Sequence, residues 1–190
     1  GDNLFHGAEL IKKLKNASDK NSGGTVFAYP VRNPQDYGVV EFNNSGMVIN
    51  IEEKPKKPKS RFAITGLYLY DQTVVEKAKS IKKSSRGEFE ITCLNNLYLN
   101  QNQLNVEIMG RGMAWLDTGT FDSLQDAGNY IRTMENRQGL KIGCPEEISW
   151  RSGLINDSDL KLLANKYKKS SYGKYLLSLL KEDIPNALQK

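Results

Sequence analysis

The sequence contains one histidine, His6, and two cysteines, Cys93 and Cys144, in 190 residues. A single imidazole excludes any mechanism that needs two, and it leaves a Ser-His-Asp arrangement only one possible partner. Beside Gly7, His6 reads more simply as a surface or cap residue. Two cysteines are too few for a disulfide framework, and neither has the CxxC or Cys/His spacing of a zinc site. Reduced thiols in a cytoplasmic protein fit this usage. Cys93 lies inside an apolar helical pattern and reads as buried packing, while Cys144, ahead of Pro145, has no evident chemistry. No run has the apolar length of a membrane span. Lys and Arg total 27 against 22 Asp and Glu, a net charge of +5. They are scattered, without exposed aromatics interleaved on one element, which argues against nucleic-acid binding and weakly for a phosphorylated small substrate.

What is present describes an ordinary globular chain, 38% hydrophobic and 26% charged. Residues 8–20 place Leu10, Ile11, Leu14 and Ala17 on one helical face with lysines opposite. TVFAYPV (25–31), GVVEF (38–42), MVINIEEK (47–54) and FAITGLYLY (62–70) read as strands, with an Asn-Asn-Ser-Gly turn between the second and third. Asp71 reads as an N-cap for a helix through Val74, Val75, Ala78 and Ile81, and residues 90–101 repeat that pattern before the strand LNVEIMG. Beyond Thr120 the chain is almost purely helical, punctuated by Gly139 and Gly153. The expectation is an α/β body over 1–120 followed by a helical region over 121–190.

Charged groups at element ends are the candidates for chemistry. Asp117 stands where the short strand Met113–Leu116 gives way to Thr118-Gly119-Thr120, the place where open α/β folds put ligand contacts. A turn aspartate bonded to local amides accounts for it equally well. Asp2 precedes the first helix. Two loop carboxylates are enough protein ligand for magnesium, which completes its octahedron with water and phosphate oxygens. In IEEKP, strand alternation places Glu53 on the face of Ile49 and Ile51, turns Lys54 the other way, and leaves Pro55 to hold Lys54 extended. A fraying strand end is the plainer reading. Ile64, Gly66 and Tyr68 alternate onto one face, and Gly66 removes a side chain where a ligand or another chain segment could approach. Arg86 and Arg111, each beside glycine, suit either phosphate binding or the surface.

Together these stretches resemble the glucose-1-phosphate thymidylyltransferases, within the sugar-nucleotide pyrophosphorylases. The matching segments are GDN(L)F(H)G, TVFAYPV, YGVVEF, EEKP, FAITGLYLYD, RGEFEIT, MGRGMAWLDTGT, ENRQGLKIGCPEEI and YGKYL, in order along nearly the whole chain. The resemblance implies a Rossmann-like three-layer sandwich with a mixed sheet and a helical carboxy-terminal region. It implies transfer from dTTP to glucose 1-phosphate, giving dTDP-glucose and pyrophosphate, in dTDP-sugar synthesis of the dTDP-rhamnose type. By the same resemblance Asp2 and Asp117 hold Mg²⁺. Tyr37, Gly38, Glu53, Lys54, Ile64, Thr65, Tyr68, Arg86, Arg111 and Trp115 surround the sugar phosphate and product, with Lys54 and Arg86 in catalytic roles. Ile64 replaces the more usual valine. The resemblance further implies a homotetramer, with a regulatory nucleotide site around Glu147, Ile148 and Arg151.

One departure stands out. The family opens on a glycine-rich loop whose arginine and lysine cradle the triphosphate, and no GxGxRL-like stretch occurs here. The expectation is a chain matching the carboxy-terminal two-thirds of such an enzyme, inactive on its own. Two alternatives stay open: a uridylyl- or adenylyltransferase, and a non-catalytic sugar-phosphate binding or assembly module.

Overall fold

The computed structural model describes residues 2–19, 22–84 and 86–181. Gly1 of the GDN motif, Lys20 at the end of the first expected helix, Ser85 ahead of Arg86, and Glu182 at the end of the last expected helix lie outside the described residues. The strands are β1 (Asn3–His6), β2 (Gly24–Pro30), β3 (Gly38–Phe42), β4 (Val48–Glu53), β5 (Phe62–Tyr70), β6 (Leu104–Ile108) and β7 (Ala114–Asp117). The helices are α1 (Leu10–Asp19), α2 (Val74–Ser80), α3 (Ile91–Asn100), α4 (Phe121–Gln138), α5 (Pro145–Arg151), α6 (Asp157–Lys166) and α7 (Ser171–Leu179). The chain divides within α4 into two compact units, Gly1–Gly128 and Asn129–Lys190. The class is α/β with a mixed sheet.

In the first unit the sheet runs β4-β3-β5-β2-β6, and β1 pairs separately with β7. Strand β2 is central: antiparallel to β5 on one side, parallel to β6 on the other. Gly24 to Ala28 are buried on both faces, as expected of a strand covered on both sides, while Tyr29 and Pro30 are half-buried. Val26 and Ala28 join Val40, Ile51 and Ile64 on one face, with Leu99 of α3 packed against them. Phe27 turns to the other face, where Ala17, Met109 and Met113 meet Leu10 and Leu14 of α1. The period-2 alternation of one strand thus fills two cores.

Bulges depart from simple alternation at two places. Between β3 and β4 the register passes from Glu41↔Asn50 to Phe42↔Val48, leaving Ile49 as the extra residue. Ile49 is therefore 52% exposed while Ile51 is buried, and the expected shared face of Ile49, Ile51 and Glu53 fails at Ile49. Between β2 and β5 the register passes from Val26↔Tyr68 to Ala28↔Ile64, so Thr65, Gly66 and Leu67 stand opposite Phe27 alone. The Thr65 hydroxyl donates to the Phe27 carbonyl at 3.1 Å.

Three other expectations change. His6 is a strand residue of β1 opposite Ala114, because Asn3–His6 acquire their extended form from β7 and not from a local signal. Asp71 is not the cap of α2, whose N-cap is Thr73. Instead its carboxylate accepts from Gly23 N–H at 2.7 Å, Thr73 N–H at 3.0 Å and Tyr98 OH at 3.1 Å, closing a turn between β5 and α2. Cys93 is only half-buried.

The second unit packs around Cys144, Leu160, Ala164, Leu176 and Leu179. Asn156 and Asp159 form a capping box at the start of α6, a reciprocal pairing that satisfies two orphan N–H groups. No helix among the described residues is long and apolar enough to cross a membrane.

Candidate active site

The β1–β7 pair brings distant carboxylates to one end of a ribbon. Asn3 stands opposite Asp117, and Phe5 opposite Trp115. The ladder continues outward through Thr118 N–H, which donates to the Asp2 carbonyl at 2.6 Å. Each carboxylate has one oxygen engaged by a neutral donor. Asn3 Nδ2 donates to Asp2 Oδ1 at 2.9 Å, and Tyr37 OH donates to Asp117 Oδ1 at 2.9 Å. Asn3 is itself fixed by Trp115 Nε1–H, which donates to Asn3 Oδ1 at 2.7 Å.

Gly66 explains how Asn3 reaches this position. A Cβ at Gly66 would lie 2.2 Å from Asn3 Nδ2, so the bulge in β5 leaves the space that the amide occupies. Burial, then the hydrogen bond to Asp117 and its charge, push the Tyr37 phenol up to about 12. It therefore stays a donor at neutral pH.

The donor set suits magnesium. Hard carboxylate oxygens at two adjoining strand ends are the one or two protein ligands that Mg²⁺ takes when phosphates and water complete its shell. Among the described residues no group of three or more His, Cys, Asp or Glu is placed to hold a metal, so Asp2 and Asp117 could hold magnesium only with most of its shell supplied by substrate and solvent.

Beside this corner, Glu53 at the end of β4 faces Gly38 at the start of β3. Thr92 Oγ1 donates to Glu53 Oε2 at 2.5 Å, and a Cβ on Gly38 would come 3.1 Å from that hydroxyl and 3.3 Å from Glu53 Oε2. Arg86 lies 3.7 Å from Glu53, 3.3 Å from Glu88 and 3.3 Å from Glu90. Ser84 Oγ donates to Glu90 at 3.0 Å and accepts from Arg86 N–H at 3.1 Å, tying the loop to the start of α3. Burial first, then the charge of Glu53, raises the Tyr68 phenol to about 12. Glu53, Thr92, Arg86 and Tyr68 thus form a polar cluster whose donors and acceptors match a hydroxylated ligand.

Lys54 links the two halves. Its φ is 43°, in the left-handed region, and not extended as its position before Pro55 suggests. Its N–H donates to the Tyr37 carbonyl at 3.0 Å. A non-glycine residue held there costs about 1–3 kcal/mol and persists only where its surroundings impose it; here they are the Tyr37 carbonyl and the buried ring of Pro55.

The structure therefore gathers Asp2, Asp117, Tyr37 and Trp115 in one corner, and Gly38, Glu53, Ile64, Tyr68 and Arg86 next to it. Thr65 is not brought to the surface of the site: it is fully buried and its hydroxyl serves the bulge. Arg111 is exposed in the turn before β7, and no hydrogen bond or ion pair among the described residues ties it to these groups. In the second unit Glu147 accepts from Arg151 Nε at 2.8 Å and from Tyr175 OH, while Ile148 is 58% exposed. Sequence reasoning missed Asn3, Thr92 and Glu90. Asn3 adjoins Asp2, but the signal for its role is Gly66, which is informative only once β1 is placed across β5.

Strand ends thus bring a pair of aspartates beside a polar cluster on an α/β body. The nucleotidyl transferase family matches residues 1–134, and the chain belongs to it. Among curated relatives, a glucose-1-phosphate thymidylyltransferase of Mycolicibacterium smegmatis is 57% identical over 95% of this chain and 62% of its own length. One of the same name from Neisseria meningitidis is 52% identical over 96% of this chain and 63% of its own. The chain thus spans less than two-thirds of these relatives. A Bacillus anthracis protein assigned as a glucose-1-phosphate thymidylyltransferase, solved with sucrose, superposes with a TM-score of 0.61 at 40% identity, covering 69% of this chain and 52% of that one. A UDP-glucose pyrophosphorylase solved with UDP-glucose shares the fold at a TM-score of 0.57 and 19% identity, over 70% of this chain and 54% of that one.

Proposed function

We propose that this chain supplies the sugar-phosphate and metal side of a glucose-1-phosphate thymidylyltransferase, acting on dTTP to give dTDP-glucose for dTDP-sugar synthesis of the dTDP-rhamnose type in the cytoplasm. The observation that carries this reading is the β1–β7 register, which sets Asp2 and Asp117 at one ribbon end beside the Glu53–Arg86 pocket. The names of the curated relatives supply the substrate pair.

In the reaction a phosphate oxygen of glucose 1-phosphate forms a bond to the α-phosphorus of dTTP, while the bond from that phosphorus to pyrophosphate breaks. The nucleophile is already ionised at neutral pH, so no general base is needed and catalysis is mostly alignment and charge neutralisation. A chain with one histidine is suited to it. Glu53, steadied by Thr92, accepts from sugar hydroxyls. Arg86 and Lys54 orient the sugar phosphate. Asp2 and Asp117 would hold magnesium, which would supply positive charge to offset that of the phosphate oxygens.

Asp117→Asn in the full-length protein is the test. Turnover falls by orders of magnitude while the thermal transition stays, because charge is lost and shape is not; near-native turnover contradicts the assignment. Assembly is part of the same reading: the full-length protein forms a homotetramer with a regulatory nucleotide site near Glu147, Ile148 and Arg151. Light scattering that returned a monomer would count against this.

A further inference from the structure

Tyr37 touches the site in three ways. Its hydroxyl donates to Asp117 Oδ1 at 2.9 Å. Its ring meets Trp115 edge-on, with centroids 5.1 Å apart and planes at 62°. Its carbonyl accepts the N–H of Lys54 at 3.0 Å, and its own N–H donates to the Pro34 carbonyl at 3.1 Å. Backbone and ring are therefore held independently of the hydroxyl. Trp115 is in turn 8% exposed and bonded to Asn3, so the surface that locates the phenol is itself fixed.

Aspartate χ2 is a broad, roughly two-fold torsion, and a carboxylate at a strand end is free to rotate unless one oxygen is held. An ionised carboxylate only accepts, so the phenol proton lies toward Asp117. We infer that Tyr37 is a positioning residue for the metal site: its hydroxyl fixes the Asp117 carboxylate so that the remaining oxygen lone pairs face the cation, while its carbonyl ties that arrangement to Lys54. Tyr37 then acts on the reaction through Asp117 and is not simply a wall of the sugar pocket. This rests on the reading of Asp2 and Asp117 as magnesium ligands. Hydrogen bonds of this kind are worth about 10–100-fold in metal affinity.

Tyr37→Phe in the full-length protein removes the hydroxyl and keeps the ring on Trp115. Expected results are a weaker Mn²⁺ affinity by electron paramagnetic resonance and a half-saturating Mg²⁺ raised by about 10-fold or more. Turnover is restored by excess Mg²⁺, and at saturating Mg²⁺ the KM for glucose 1-phosphate and the thermal transition of the metal-free protein are unchanged. A merely structural defect would not be rescued by Mg²⁺. Wild-type Mn²⁺ affinity in the variant, or a raised KM for glucose 1-phosphate that Mg²⁺ does not correct, overturns the inference. If the wild-type protein neither binds Mn²⁺ nor responds to Mg²⁺, the metal reading itself falls, and this inference falls with it.

Discussion

Asn3 and Asp117 stand opposite each other across the β1–β7 pair, and that single register makes neighbours of two aspartates from opposite ends of the first unit. Asn3 is the link. It accepts from Trp115 Nε1 and donates to Asp2, so the aromatic wall and one carboxylate move together. The arrangement depends on a side chain that is absent: Gly66 leaves the space in which the Asn3 amide lies.

Gly66→Ala tests that dependence. The new Cβ, 2.2 Å from Asn3 Nδ2, forces the amide away from Asp2 and Trp115 and costs about 1–3 kcal/mol, as overpacking does. Thermal unfolding should show the loss, and turnover should fall further than stability alone explains. Unchanged stability and turnover would mean that the space is not occupied as described.

Glu53→Gln separates charge from shape on the sugar side. The amide oxygen can still accept from Thr92, but the charge facing Arg86 and the acceptor strength toward sugar hydroxyls are lost. Hydrogen bonds to charged groups contribute about 1.5–3 kcal/mol, so the KM for glucose 1-phosphate should rise by roughly that equivalent, with the thermal transition little changed. A native KM would remove Glu53 from the pocket.

Acid stability should carry a signature of Asp71. Hydrogen bonds from Thr73, first, and from Gly23 hold its carboxyl at about 2, below the ordinary 3.8. A depressed folded-state value means stability that is present above about pH 4 and is lost as pH falls through about 2. The thermal transition of the wild type should therefore exceed that of Asp71→Asn at neutral pH, and the gap should narrow between those limits. A gap independent of pH in this window contradicts the assignment.

Much of the first unit is legible in sequence because its strands obey local rules: β3 and β5 begin and end where alternation and turn residues say. The site is less so. β1 has no propensity signal of its own and is extended only because β7 pairs with it. The exposure of Ile49 and the role of Thr65 come from bulges that set register between strands; Gly66 hints at the one in β5, while the one at Ile49 leaves no mark in β4 alone. Lys54 is the sharpest case. Proline after it argues for an extended residue, yet its bond to the Tyr37 carbonyl and the buried Pro55 ring place it at φ 43°. Resemblance supplied residue roles that spacing could not, while the burial of Thr65 and the exposed turn position of Arg111 became visible only in the fold.

The most direct test of the central claim is product formation by the full-length protein from glucose 1-phosphate with each of the four nucleoside triphosphates and Mg²⁺, measured as sugar nucleotide and pyrophosphate together. The expected result is equimolar dTDP-glucose and pyrophosphate with dTTP as the best donor. Preference for UTP or ATP would contradict the thymidylyl reading while leaving the sugar-phosphate site standing, and no pyrophosphate from any of the four would contradict nucleotidyl transfer itself.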